Sequence, residues 1–285
     1  MGNPRRIYTQ EEKELLLREY VENKKSLHYC SKLIHSNAET VKKFLIENNV
    51  KIRNKAEALA NGKQKERKYP ANDFYFSEVN EKMAYLLGFI AADGNVSKKH
   101  HNLTITLAET DIDFLQQIKN ELGGREVKVY QNKDGFTSCT WGCASRQIRK
   151  DLEKYNIVPD KTFSFTFPEN LPRNFWRDFI RGYFDGDGSI FEDMNGIRFS
   201  ICSATRDVLE KINNYFFESC GTSKQSIYEN KKDKNVEYVL RYRTQDSINI
   251  FNHLYYDKCL CLSRKYIKYK TLIEKKKTSK RLHNL

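Results

Sequence analysis

The sequence predicts an α+β fold: a duplicated αββαββα core preceded by a small all-α module. Three observations predict it. "LLGFIAADG" at 86–94 and "IRGYFDGDG" at 180–188 are near-copies, each closing an apolar run on Asp-Gly. The segments after each copy pass through the same alternation of strand and helix patterns. Residues 9–49, by contrast, hold three short helical patterns and no strand alternation.

In the first of these, Thr9-Gln-Glu-Glu12 has the spacing of a capping box, and Leu15, Leu16 and Tyr20 supply an apolar stripe. Ser26 opens a second helix carrying Leu27, Tyr29, Cys30, Leu33 and Ile34. A tight break at His35 precedes Ser36-Asn-Ala-Glu39, again with capping-box spacing, and then Val41, Phe44, Leu45 and Ile46. Two short helices joined by a brief turn, the second polar and basic near its start, predict a helix-turn-helix over 1–54. Asn37, Thr40, Lys42 and Lys43 would face a major groove, with Arg53 in the trailing "NNVKIRN". The stretch resembles the trihelical domains of transposases and phage regulators. Residues 55–73 contain "KAEALANGKQKERKYP", which lacks an apolar period and reads as a basic linker.

Asn80 is placed to cap a helix over 81–93, and Asn174 one over 175–187. In each, the closing glycine suits a left-handed helix end. Gly88 and Ala92, like Gly182 and Gly186, stand four apart, so small residues share one helical face and two backbones can approach there. The two helices are therefore expected to pack side by side, bringing Asp93 and Asp187 together at two helix C-termini. A carboxylate is disfavoured at that end of a helix dipole, and two repel further. Neither motif has an adjacent Lys or Arg, so a hard divalent cation is the natural counter-charge.

After the first motif come "NLTITLAE", "TDIDFLQQIKNEL", "EVKVYQ", "SCTWGCA" and "SRQIRKDLEKYN"; after the second, "IRFSICSA", "TRDVLEKINNYF", "QSIYEN", "EYVLRYR" and "SINIFNHLYY". Alternation along the strands predicts one sheet face under helices and one open. Lys128, Tyr130, Gln131, Trp141, Arg198, Arg241 and Arg243 are assigned to the open face. The halves would span 74–170 and 171–285, the second ending in a basic tail.

Composition narrows the partner. The net charge is +13, and the surplus lies at the ends: 16 basic against 9 acidic residues in 1–70, and 9 against 1 in 264–285. A polyanion such as double-stranded DNA fits that distribution. The longest apolar run, Met83 to Ala92, is too short for a membrane span, and Met1 to Gln10 has no secretory character, so an intracellular chain, cytoplasmic or organellar, is expected. Seven cysteines without a CxxC pair read as reduced thiols, and His100 and His101 as loop residues.

The two Asp-Gly motifs and the repeat behind them resemble single-chain LAGLIDADG homing endonucleases over about 80–270, with the helix-turn-helix as an addition. The resemblance implies saddle-shaped DNA-binding sheets and a monomer that cuts both strands of a long, rare, asymmetric site, leaving short 3′ overhangs. It implies an intron-encoded gene, Mg²⁺ as cofactor with Mn²⁺ as substitute, and metal held by Asp93 and Asp187 beside the Ala92 and Gly186 carbonyls. The preceding acidic position is Ala91 in the first copy and Asp185 in the second. A basic residue near each metal centre, with a catalytic role in ordering water or stabilising charge on the phosphate, maps to Lys161 and Lys265, with Lys258 competing for the second role. Two alternatives stand beside this: an RNA maturase acting on intron RNA, and a DNA-binding regulator with an inactive core. An intein is not expected, since no splicing block precedes the core.

Overall fold

The computed structural model describes residues 8–53, 67–194, 196–232 and 235–282. The chain divides into two compact units, Met1–Lys68 and Tyr69–Leu285. Most of the linker expected over 55–73 lies outside the described residues. Its end is pinned: the Asn72 amide donates to Leu122 O at 2.9 Å and the Gly124 amide to Pro70 O at 2.8 Å.

The first unit comprises α1 (Gln10–Leu17), a π-helical turn (Arg18–Glu22), α2 (Leu27–Leu33) and α3 (Ala38–Glu47). Thr9 and Glu12 form the full capping box, Ser26 caps α2, and His35 turns the chain with φ 48°. The third cap falls one residue later than the spacing predicts. Asn37, not Ser36, accepts from the Thr40 amide and also from the Thr40 hydroxyl, both at 2.8 Å. Asparagine at this position has a longer reach and serves both donors at once. Leu16, Tyr20, Cys30, Ile34, Val41, Phe44 and Leu45 make this unit's own core.

The second unit repeats one pattern twice. Its first half is α4 (Glu81–Asp93), β1 (Gly94–Val96), β2 (Asn102–Ala108), α5 (Ile112–Leu122), β3 (Lys128–Gln131), β4 (Thr137–Ala144) and α6 (Arg146–Lys154). The second is α7 (Trp176–Asp187), β5 (Gly188–Asp193), β6 (Gly196–Ser203), α8 (Arg206–Cys220), β7 (Ile227–Lys232), β8 (Asn235–Tyr242) and α9 (Thr244–Leu254), followed by α10 (Ser263–Leu282). The sheets are antiparallel, ordered β1-β2-β4-β3 and β5-β6-β8-β7. The start of α10 is no simple solvated tail: Tyr269 is buried with its ring 3.7 Å from that of Phe251.

The two motif helices touch backbone to backbone. A methyl built on Gly88 would lie 2.0 Å from Phe179 O, and one on Gly182 would lie 1.9 Å from Tyr85 O. Each glycine thus admits the other helix where any side chain would separate them. A methyl on Gly186 would meet the Ala92 Cβ at 2.3 Å and Asp93 Oδ2 at 3.3 Å, so the seam continues to the helix ends. Two details depart from expectation. Gly94 and Gly188 are extended rather than left-handed, with φ −77° and −94°, and lead straight into strands. Glycine is required there by space, since a methyl would fall 2.6 Å from Ile90 O or 2.1 Å from a Phe184 ring carbon. Asn80 caps α4 as expected, but Asn174 sits inside a 3₁₀ turn, Arg173–Phe175, and α7 starts without a side-chain cap.

Gly182→Ala is expected to lower the unfolding free energy by about 3 kcal/mol, the upper end for overpacking. Gly135→Ala, at φ 84° with open space around it, should cost only about 1–2 kcal/mol of backbone strain. Urea denaturation of both variants checks this; equal losses would remove the special status of the seam.

Candidate active site

The seam delivers Asp93 and Asp187 to adjoining helix ends. Water reaches both carboxylates, yet dense protein surrounds them. For Asp187, crowding and then the Asp93 charge push the pKa up to about 6, against the pull of Lys161 and Lys265. Asp93 is also raised, chiefly by desolvation, while Lys265, Lys161 and Arg264 oppose the rise. Because both groups are solvent-accessible, screening softens these pushes.

The counter-charge missing near the motifs comes from elsewhere in the chain. Lys161 is buried and donates to Gly94 O at 2.6 Å. Lys265 is buried and donates to the carbonyls of Phe184 and Asp185, both at 2.7 Å, with Gly186 O at 3.2 Å and Gly188 O also in reach. The two lysines occupy equivalent places, each beneath the glycine that follows its motif. Lys265 caps carbonyls left open at the end of α7, Lys161 holds the carbonyl of the glycine that follows α4, and both oppose the negative end of a helix dipole. Burial lowers both, Lys265 to about 8. A bound cation is therefore not the sole relief of repulsion between the aspartates. Nor does Lys265 have a proton to spare for a phosphate: an ammonium has three, and four carbonyls compete for them. Lys258 is exposed, with φ 57°, and lines a cleft with Glu81, Lys82 and Arg177.

Asp185 behaves quite differently from its neighbour two residues on. It is fully buried and accepts from Tyr85 at 2.8 Å, from the Leu262 amide at 2.8 Å, and from Tyr255. It ties α4, α7 and the segment leading to Lys265 into one network. At the corresponding place, Ala91 is simply buried. Sequence reasoning also passed over Asp111 and Arg264. Asp111, buried in the first half, accepts from Arg264 Nε at 3.0 and 2.8 Å, joining the halves beside Asp93.

The residues assigned to an open sheet face separate into two groups. Register places Lys128 opposite Thr140 and Tyr130 opposite Ser138, on the face away from the core, and both are exposed. Gln131 alternates with them but is exposed at the edge strand, its amide 3.2 Å from Gly135 O. Arg241 is exposed, its guanidinium 5.7 Å from the Phe191 ring, and Arg243 is exposed just past the end of β8. Trp141 corrects the assignment: it pairs with Ile105, points into the core fully buried, and donates from Nε1 to Gly123 O at 2.9 Å. One residue of parity decides which face a strand side chain takes. Arg198 is a second correction, being buried and bonded to Asp193 at 2.7 Å.

In the first unit, Asn37 and Thr40 bond each other at the start of α3, Lys42 lies 3.8 Å from Glu39, and Lys43 is exposed. Arg53 is engaged within the unit: its guanidinium stacks 4.1 Å over Tyr20 and donates to Lys25 O.

Could the site hold a divalent cation? Among the described residues no group of three or more His, Cys, Asp or Glu is arranged to hold a metal ion by itself. The donors present are two accessible carboxylates and helix-end carbonyls such as Ala92 O, all hard oxygens suited to Mg²⁺, which retains several waters. Gly186 O is shared with Lys265. The donor set fits such an ion when waters or substrate oxygens complete it.

Comparison with known proteins places the chain. A family model described as LAGLIDADG-like domain matches residues 80–154 and 174–255. The chain belongs to that family. The two matched stretches are the two halves, so the LAGLIDADG-like domain occurs here twice. An uncharacterized protein of Methanocaldococcus jannaschii is 32% identical over 96 residues, 33% of this chain. Those residues span 34%, about a third, of that relative's length. Among solved structures, the I-LtrWI LAGLIDADG homing endonuclease bound to target DNA is 13% identical, covering 73% of this chain and 92% of that one, with a TM-score of 0.43. Full-length DUF199/WhiA from Thermatoga maritima is 13% identical over 74% of this chain and 72% of its own, at 0.42. I-DmoI in complex with DNA and Ca is 16% identical over 64% and 90%, at 0.38. The family assignment rests on the domain match, not on these likenesses. No helix among the described residues is long and apolar enough to cross a membrane.

Asp187 binds its proton more tightly folded than at its ordinary 3.8. Its contribution therefore lowers stability as pH rises from about 4 to about 6, and keeps it lowered above. In metal-free buffer Asp187→Asn should melt higher than wild type at pH 8, with the gain shrinking below pH 6 and gone near pH 4. A gain independent of pH, or a loss at pH 8, would contradict the electrostatic account.

Proposed function

We propose that this chain is a site-specific DNA endonuclease of the homing type, making metal-dependent breaks in both strands of a long, asymmetric target. The observation that carries the reading is the pair of accessible carboxylates, Asp93 and Asp187, set at two abutting helix ends with raised proton affinity. Asp93 and Asp187 would hold divalent cation, Mg²⁺ or Mn²⁺, with the Ala92 and Gly186 carbonyls as neighbouring donors. Such an ion, when bound, acidifies a water and neutralises charge on a phosphodiester.

The chain's own residues do the rest. Lys161 and Lys265 hold the helix ends in place and temper the local negative charge without touching substrate. The Asp185 network and the Asp111–Arg264 pair keep the halves in register. Lys128, Tyr130, Gln131, Arg241 and Arg243 grip the duplex, whose phosphates supply most of the affinity. We read α2, the turn at His35, and α3 as a helix-turn-helix, with Lys42 and Lys43 on phosphate and with Asn37 and Thr40 at the groove edge. The regulator reading shares every grip residue but leaves the carboxylate pair without a use. Intron RNA has no feature here that favours it over DNA.

Asp93→Asn and Asp187→Asn are each expected to abolish double-strand cleavage while retaining binding, measured on DNA flanking the gene. Millimolar Mg²⁺ should raise the melting temperature of wild type and leave the double variant unmoved. A wild type inert toward that DNA in Mg²⁺ and unshifted in melting sinks the catalytic reading. Removing residues 1–68 should shorten the footprint and flatten the salt dependence of log K by roughly 0.9 for each phosphate no longer neutralised. Lys128→Ala and Arg241→Ala should each weaken binding with little loss of stability, whereas Trp141→Ala should destabilise by about 3–5 kcal/mol.

A further inference from the structure

The two sheets carry different chemistry on the faces turned away from the core, and one side chain of the second sheet stands apart. Ile197, Phe199 and Ile201 of β6 lie in the core, so Arg198 and Ser200 point the other way. Register pairs Phe191 of β5 with Arg198, and Arg241 of β8 with Ser200. Phe191 and Arg241 therefore share the open face, with β6 between their strands. Over the short Ser200, the Arg241 guanidinium reaches the Phe191 ring, 5.7 Å from its centroid. Resting on the proposed function above, in which the open faces meet duplex DNA, we infer that Arg241, stacked on Phe191, reads a guanine in the half of the target held by the second sheet.

Three observations carry it. First, Arg241 is exposed and its side chain has no hydrogen bond or ion pair among the described residues, so all its N–H donors stay available. Second, the ring beneath it limits where those donors point. A guanidinium stacked on an aromatic face is pre-organised, and less freedom is lost when it binds. Phe191 is thus a positioning residue for Arg241. Third, neighbouring arginines lack this setting. Arg198 is buried and gives Nε to Asp193 at 2.7 Å, while Arg243, exposed past the end of β8, stacks on no ring among the described residues. The first sheet offers no counterpart. None of its strands contains an arginine, and Thr106 and Thr140, paired on its open face, bond their hydroxyls to each other at 2.9 Å.

A fork that only donates selects guanine for a simple reason. Guanine shows two acceptors, N7 and O6, side by side in the major groove, and a guanidinium meets both at once. Adenine sets an amino donor beside its N7, thymine a methyl beside its O4, and cytosine shows a donor alone. Each of these leaves a guanidinium proton unmatched. The two halves of the target therefore differ in kind: one contains a guanine read by a stacked arginine, and the other meets a sheet without that device.

The test uses the full chain in metal-free buffer, where binding is read without cutting. Duplexes that the wild type selects from a randomised library should share a guanine at one position of one half-site. Replacing that base pair by any other should lower affinity about 5- to 150-fold. Methylating N7 of that guanine should block binding. Arg241→Ala should lose the preference at this position alone, and Phe191→Leu should weaken the preference more than it weakens overall affinity. Arg243→Ala should instead lower affinity for every duplex alike. Should Arg241→Ala misfold, Arg241→Gln answers in its place, since a side-chain amide matches adenine and not guanine. A loss in Arg241→Ala spread evenly over all sequences means a phosphate contact and overturns the inference, as does a wild-type selection without such a guanine. Duplex binding that tracks no guanine leaves the endonuclease reading standing, whereas no duplex binding at all sinks both.

Discussion

Everything in the second unit follows from two helices allowed to touch at their backbones. At Gly88 and Gly182 a single methyl would collide with a carbonyl oxygen of the opposite helix, so the interaxial distance is set by glycine and by nothing larger. Packing this close has an electrostatic consequence. Two helix C-termini, each carrying roughly half a negative charge, come to lie side by side, and each ends on an aspartate. Such an arrangement is unstable unless cations stand behind it, and the fold supplies them as Lys161 and Lys265.

The two ends are not equivalent, although the topology repeats. Lys161 bonds one carbonyl, at Gly94, whereas Lys265 is surrounded by four. Where the first motif has Ala91, the second has Asp185, whose proton affinity burial raises against the opposing pull of its three donors. The end of α7 is thus held by a dense polar network reaching to Leu262 and Lys265, and the end of α4 by apolar packing and one lysine. Buried carboxylates of this kind are costly unless every lone pair has a partner. Tyr85, Tyr255 and the Leu262 amide give Asp185 three donors for its roughly four lone-pair sites, which offsets most of that cost.

Much of this was legible in the sequence, because the signals are local. Small residues four apart announced the seam, period-two alternation announced most strands, and the caps at Thr9, Ser26 and Asn80 formed where their spacing placed them. What failed depended on space or on distant partners. Gly94 and Gly188 read as left-handed helix ends, but they are glycine because Ile90 and Phe184 crowd them. Trp141 read as an exposed aromatic because parity counted from a strand boundary is uncertain by one residue, and its partner Ile105 settles the face. Lys161 and Lys265 could be found by their positions after the last helix of each half. Their carbonyl partners, 67 to 81 residues away, could not. Arg264 and Asp111 were invisible for the same reason, at a separation of 153.

The way the lysines are bound explains why the carboxylates stay reactive toward cations. Lys265, its protons shared among four carbonyls, and Lys161, bonded to Gly94 O, make no direct pair with Asp93 or Asp187 and neutralise by their fields. Field effects across several ångströms of partly solvated protein are softer than a direct ion pair. A direct pair would pull each aspartate below its ordinary value; instead both remain above it. The helix ends are therefore held together firmly enough to meet, while negative potential remains on the solvent side. Had the lysines reached the carboxylates, the same seam would have been more stable and electrostatically silent.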